Sequence, residues 1–391
     1  MGKRIIKILF LCFLLIDVVY ASSLNLVSEK YYLYNLTEDK VMLEKDAHVK
    51  TDIASLTKIM TIIVSIENIT DFNEEVEITG EMLESIEWDV SVAGFHRGDK
   101  VTYNDLLYGA MLPSGADATN ALAISTAGSF GNFIDLMNKK VNDLGLKNTH
   151  FANVVGLYDE ENYSSAYDMA QILIYSLKNE KFKEVFEAKT YTTTTGKQLK
   201  ATLNHYGKDI DVSLIKGSKT GYIEKAGRCL ASTASFNESD YVLVTLNAYS
   251  PEMSVHVTDS LEIYNYYKDN YSYHDYLNKE DIIVTLDTKT SKEDEISIES
   301  GISKRVFYDN SFDKEKVEYV YKGEKEVSSF TEKGTKLGEV SVKYNGEEID
   351  KFDLIYNSEL TFSLKKYLFE NIIIVIVGMF IIIKLFGIFK K

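Results

Sequence analysis

At 391 residues the chain is too long for one ordinary domain and fits two domains with appendages. Its composition, 45% hydrophobic and 26% charged, is globular and excludes an intrinsically disordered chain. A formal net charge of −16 without an offsetting basic patch excludes nucleic acid and anionic polymers as natural partners.

The chain opens with "MGKRIIKILFLCFLLIDVVYASS". Lys3, Arg4 and Lys7 precede an apolar core, and Val19 and Ala21 fit the −3 and −1 positions of a signal-peptidase site. This predicts a cleaved signal peptide over residues 1–21. The alternative is a membrane-spanning anchor, against which stand Asp17 and the short apolar run. Residues 22–52 alternate apolar and polar around "NLTEDK" and predict a β-hairpin. A helix is expected from Ser55 to about Asn68, with Ile59, Ile62, Ile63 and Ile66 as its apolar positions. Residues 104–127 read as two helices broken by "LPSGAD", where Pro113 and Gly115 punctuate. Helices are expected over 131–147 and 166–178, strands across 211–249, and a helix over 258–268 that closes the domain. Beyond about residue 270, "DIIVTLDTK", "KVEYVYKG", "KLGEVSVKYNG" and "KFDLIYNSEL" read as the strands of a small all-β domain.

The C-terminal "NIIIVIVGMFIIIKLFGIFKK" carries an uncharged run of 13 residues, short of the ~20 that span a bilayer. If Lys384 snorkels, the run extends to Phe389, and Lys390 and Lys391 fit a cytoplasmic end. A transmembrane anchor is therefore expected over 367–389, with an interfacial amphipathic helix as the alternative. Cys12 falls in the signal segment and leaves only Cys229, so no intramolecular disulfide is expected. Cys229 reads as a small buried strand residue.

Three short motifs carry chemistry. "ASLTKIMT" sets Ser55 three residues before Lys58 at the start of a helix. Four Ser-x-x-Lys matches occur, at Ser55, Ser213, Ser311 and Ser363, so the spacing alone decides nothing. "LPSGADA" sets Ser114 on a turn between helices, where it can also act as a helix cap. "GSKTGY" holds Lys219, Thr220 and Gly221, the one Lys-Thr-Gly of the chain. On a strand, Lys219 and Gly221 point to one face and Thr220 to the other, and Gly221 lets another backbone approach. A phosphate-binding P-loop is excluded, because Ser218 separates Gly217 from Lys219 and position 212 is Val.

In that order these motifs resemble the low-molecular-mass penicillin-binding proteins, the serine-type D-alanyl-D-alanine carboxypeptidases. The resemblance takes in "LLYGAMLPSGADATNALA", "MNKKVNDLGLKNTHFANVVGLYDEENYSSAYDMA" and "KGSKTGYIEKAGRCLASTA" and covers nearly all of the mature chain. It implies an α/β (α+β) fold: a penicillin-binding transpeptidase or serine β-lactamase-like domain over 22–269. That domain is an antiparallel sheet flanked by helices, with a helical subdomain. A small all-β domain over 270–364 and the anchor would follow.

The resemblance implies Ser55 as nucleophile and Lys58 as its base, kept partly neutral by burial and by Lys219 as a nearby cation. Ser114 would complete a proton path to the leaving amine. The backbone N–H groups of Ser55 and Tyr222 would form the oxyanion hole. Lys219 and Thr220 would receive the substrate's terminal carboxylate. The family usually has Ser-x-Asn in the second motif, where this chain has Ala116; Asp117 and Asn120 are near, but a helix aims them elsewhere. The family often has an arginine for the carboxylate, and by position His256 replaces it, mostly neutral above the ordinary histidine pKa of ~6.5.

A class A β-lactamase needs a Glu-x-x-Leu-Asn water activator, and the nearest match, "KATLN", has Lys200 in place of the Glu. A zinc peptidase needs clustered ligands, and the six histidines form no His-x-x-x-His or similar spacing. No metal or cofactor is expected. The expected partners are peptidoglycan stem peptides ending in D-Ala-D-Ala, β-lactams and the cytoplasmic membrane, on whose outer face the protein would be held by its C-terminus. A rival of another class is a catalytically weak protein that binds stem peptides or penicillins, supported by Ala116.

Overall fold

The computed structural model describes residues 24–84, 86 and 90–388. The expected signal peptide, with Cys12, lies outside them. The chain divides into two compact units, Met1–Asp269 and Asn270–Lys391.

The first unit is built on a five-stranded antiparallel sheet. Its strands are β1 (Ser28–Asn35), β2 (Lys40–Lys45), β3 (Ile215–Ile223), β4 (Gly227–Phe236) and β5 (Ser239–Ala248), in the order β2-β1-β5-β4-β3. The N-terminal hairpin thus joins a sheet whose other strands lie some 200 residues on in sequence. Both faces are covered, so β4 and β5 are buried along most of their length, polar residues included. One face, with Ala231, Val242, Val244 and Leu246, packs into the main core. The opposite face is covered by a C-terminal helix, Val255–Asn270. There the Tyr264 hydroxyl lies 3.0 Å from Ser232 and the Ser260 hydroxyl 3.2 Å from Thr245.

Among the described residues, further helices of at least two turns are α1 (Thr57–Asn68), α2 (Tyr103–Met111), α3 (Ala116–Ala127), α4 (Phe130–Asp143), α5 (Ala166–Ser176) and α6 (Glu180–Glu187); Val255–Asn270 is α7. Helix α1 is buried from Thr57 through Ile66, on every face, because it threads the middle of the helical layer. It starts two residues later than expected: Ala54–Leu56 form a 3₁₀ turn that carries Ser55.

The second unit holds eight strands in sheets of two, three and three strands, around a core that includes Leu286, Ile298, Val340 and Leu354. Two helices end it, Leu364–Glu370 and Ile372–Ile388. The expected span over 367–389 is interrupted at Asn371, whose side-chain amide donates to the Tyr367 carbonyl at 2.9 Å. No single helix among the described residues is long and apolar enough to cross a membrane. The pair Leu364–Glu370 and Ile372–Lys384 meets that test only together, bent by 78°.

Candidate active site

The site forms where α1, the turn between α2 and α3, and strand β3 converge. Ala54 has φ +47° and Ser114 φ +62°, left-handed values that side-chain-bearing residues seldom adopt. Such backbone persists only where the surroundings impose it, and here it presents two serine hydroxyls to one cleft.

Ser55 is half-buried, while Lys58, one turn on, is 1% exposed. The Lys58 amine donates to the Ser55 hydroxyl at 3.0 Å and to the Val155 carbonyl at 2.7 Å. That carbonyl belongs to a loop organised by Asn153, whose Oδ1 accepts from the N–H of Gly156 at 2.7 Å and of Leu157 at 3.1 Å. Thr61 ties α1 to the same loop through the Val154 carbonyl at 2.7 Å. Gly156 is required here: at φ +85°, a Cβ on it would lie 1.9 Å from the Ala54 carbonyl oxygen.

On the opposite wall, Lys219 is fully buried and donates to the Ser114 hydroxyl and to the Thr220 carbonyl, both at 2.8 Å. Ser114 therefore serves the site and not the helix: the N-cap of α3 is Gly115, with no side-chain cap. Gly221 sits against the 3₁₀ turn, where a Cβ would meet Leu56 at 3.0 Å and the Ile53 carbonyl at 3.1 Å. The Thr220 and Thr202 hydroxyls are 2.8 Å apart.

Burial pushes the Lys58 amine down to about 7, against the pull of the Asp117 carboxylate. Lys219 is pushed well below the ordinary lysine range, by burial first and then by the charge of Lys58. The expected roles are thus reordered. Lys219 is expected as the cation that depresses Lys58; the Lys219 amine is itself pushed down by burial, and burial is what depresses Lys58.

The structure brings Ser55, Lys58, Ser114, Thr220, Gly221, Tyr222 and His256 to one cleft of about 940 Å³. Lys219 joins them through its bond to Ser114. The other Ser-x-x-Lys matches do not join them. Ser213 is exposed beside Asp211, the Ser311 hydroxyl donates to Asp309, and Ser363 caps the helix Leu364–Glu370.

His256 is 1% exposed, and its imidazole is pushed down to about 3, by burial first and the Arg228 guanidinium second. It is neutral throughout the working range of an enzyme, not only above the ordinary histidine value. Asp117 and Asn120 do not replace the missing asparagine at 116. Asp117 accepts from the backbone N–H groups of Ala93 at 2.7 Å, Gly94 at 2.7 Å and Phe95 at 2.8 Å. Asn120 donates to the Met82 carbonyl at 3.1 Å. Beside Ala116 an apolar cavity of about 240 Å³ remains.

Sequence reasoning missed Arg228, Asn153 and Thr202, and saw Asp117 only as a misplaced substitute. Arg228 follows the third motif by seven residues, and only the β3–β4 pairing brings it back to the cleft.

A half-buried serine bonded to a buried lysine, a serine turn and a lysine strand on one cleft are the parts of a serine acyl-transfer site. A model of the D-alanyl-D-alanine carboxypeptidase family matches residues 17–250. The chain belongs to that family. As a member it is a serine-type carboxypeptidase, a hydrolase. Among its relatives, the D-alanyl-D-alanine carboxypeptidase DacF of Bacillus subtilis is 29% identical over 316 residues, 79% of each chain. DacA of Escherichia coli is 35% identical over 257 residues, 60% of this chain and 62% of that one. In solved structures, DacD of Francisella tularensis shares the fold at a TM-score of 0.63 and 20% identity, covering 88% of this chain and 96% of that one. A Streptomyces DD-transpeptidase matches at a TM-score of 0.57 and 30% identity, over 62% of this chain and 97% of that one.

Proposed function

We propose that this family member removes the terminal D-alanine from peptidoglycan stem peptides through an acyl-enzyme on Ser55, and that penicillins acylate the same serine. The observation that carries this reading is the Lys58 amine, buried, depressed to about 7 and 3.0 Å from the Ser55 hydroxyl. A serine hydroxyl is a weak nucleophile until a neighbour takes its proton, and an amine that titrates near neutrality does so best.

In the acylation step, Ser55 Oγ attacks the carbonyl carbon of the penultimate D-Ala, and its proton passes to Lys58 Nζ. Backbone N–H groups of Ser55 and Tyr222, as the family resemblance implies, would hold the oxyanion. Two such donors are worth roughly 3–4 kcal/mol each. Collapse expels the terminal D-alanine, whose amine takes a proton through Ser114, and water later releases the acyl group. A substrate carboxylate near Thr220 favours the charged form of Lys219. That charge in turn favours a neutral Lys58, so the base is readied when substrate is in place.

A membrane tether at the C-terminus is part of the proposal. Its support is the exposed apolar surface of the last helices, with Phe369 77% and Ile373 74% exposed. The rival, a catalytically weak binding protein, rests on Ala116 and the cavity beside it.

Labelling with a fluorescent penicillin tests the choice of serine. Ser55→Ala should abolish it, whereas Ser213→Ala and Ser311→Ala should label normally. Labelling that survives Ser55→Ala would place the nucleophile elsewhere.

A further inference from the structure

Arg228 stands in the cleft with no role assigned above. It lies on β4 directly opposite Tyr222, which is two residues along β3 from Thr220. Its guanidinium carbon is 4.7 Å from the centroid of the Tyr222 ring, and its Nε is buried without a hydrogen-bond partner. Buried donors are nearly always satisfied, so an unpaired guanidinium N–H in a cleft marks a place for an acceptor. A guanidinium keeps its charge at any working pH and offers a planar fork of donors that matches a carboxylate.

The surroundings fit the same ligand. Thr220 and Thr202 bring their hydroxyls together at 2.8 Å, and both line the cleft with His205, Tyr206 and His256. The acidic group that lines the cleft, Glu224, is exposed to solvent. His256, where an arginine was expected, cannot supply charge. It is packed edge-on against Tyr206 at 5.1 Å, its Nδ1 is buried without a partner, and it faces Arg228 as a neutral ring.

We infer that Arg228 is this chain's carboxylate anchor: its guanidinium binds the terminal carboxylate of the D-Ala-D-Ala substrate beside Thr220, with His256 as a wall of that subsite. The permanent positive charge stands on strand β4, close enough to act on the His256 ring in the first turn of α7. This inference rests on the carboxypeptidase reading above.

The test compares a peptide ending in D-Ala-D-Ala with the same peptide carrying a C-terminal amide. The wild-type chain should prefer the acid. Arg228→Gln should lower kcat/KM for the acid peptide by about 10- to 100-fold, the scale of a lost charge-assisted hydrogen bond, and leave the amide peptide nearly unchanged. Restoring a cation from α7 in Arg228→Gln/His256→Arg should return part of the acid preference. Thermal unfolding of each variant establishes that it is folded, and Arg228→Lys provides a milder change that keeps the charge and loses the fork. A folded Arg228→Gln protein with undiminished acid preference would overturn the inference and leave the activity standing. A wild-type protein that turns over neither peptide would overturn the activity itself, and the inference with it.

Discussion

Lys58 ties function to stability at a single atom. Its amine titrates near 7 in the folded chain, against about 10.4 for an unperturbed lysine. The base must be neutral to accept a proton, so acylation should be low at pH 5.5 and rise with a midpoint near 7. Stopped-flow measurement with a chromogenic β-lactam would show this, and a flat profile would remove Lys58 from the role. Lys58→Ala should slow acylation by at least about 10²-fold. The same depression has a stability sign. Between the folded and unfolded values the unfolded chain holds the extra proton. Stability from this group therefore rises with pH across pH 7–10 and is lost as pH falls through that window. Lys58→Met should abolish acylation yet unfold at or above the wild-type temperature at pH 7.5, with the gap closing by pH 10. Unfolding at a lower temperature at pH 7.5 would show that the bonds to Ser55 and Val155 outweigh the desolvation of the amine. Ala116→Asn has room in the neighbouring cavity. It should raise peptide turnover by about 2- to 10-fold, the worth of one added hydrogen bond. Reduced turnover would make Ala116 an adaptation of this site.

At the scale of elements, the site is a meeting of a helix, a turn and a strand, and loops hold them in register. The Lys58–Val155 bond spans 97 residues and the Lys219–Ser114 bond 105. Such distances explain what was legible beforehand. The motifs on α1, the α2–α3 turn and β3 could be read because each is local. The N-terminal hairpin is legible in its alternation, and the strands β3 to β5 fall within the stretch 211–249 that reads as strands. Asn153, Gly156 and Arg228 gave no local signal, since each acts on a segment distant in sequence. Helix α6 was missed although its signs were present: Asn179 caps it, and Phe182, Val185 and Phe186 fall at helical spacing and are buried. The two small two-stranded sheets, Glu75–Glu77 with Lys100–Thr102 and Thr190–Thr192 with Gln198–Lys200, have strands too brief for periodicity to show. The loop on Ala54 gives a sharp prediction. Gly156→Ala combines a clash at 1.9 Å with strained backbone, and should displace the 3₁₀ turn that carries Ser55. Penicillin labelling should fall together with the unfolding temperature; a fully active, equally stable variant would show that the loop can shift without moving Ser55.

For the whole molecule, among the described residues the first unit carries every side chain that lines the cleft and the second carries none. The two units call for a defined cut. Residues 361–370 are tied into the second unit: Lys366 donates to the Glu293 carbonyl and to Asp294 at 2.7 Å each, and Glu370 accepts from the Thr290 N–H at 3.3 Å. Truncation after Asn371 should give a soluble chain that keeps full turnover. Persistent membrane association would point to a second membrane contact. The account as a whole rests on Ser55 releasing D-alanine, and the release of free D-alanine from a D-Ala-D-Ala peptide tests it most directly. The wild-type chain should release D-alanine repeatedly and Ser55→Ala not at all. Release that survives in Ser55→Ala, or a wild-type chain that releases none, would contradict it.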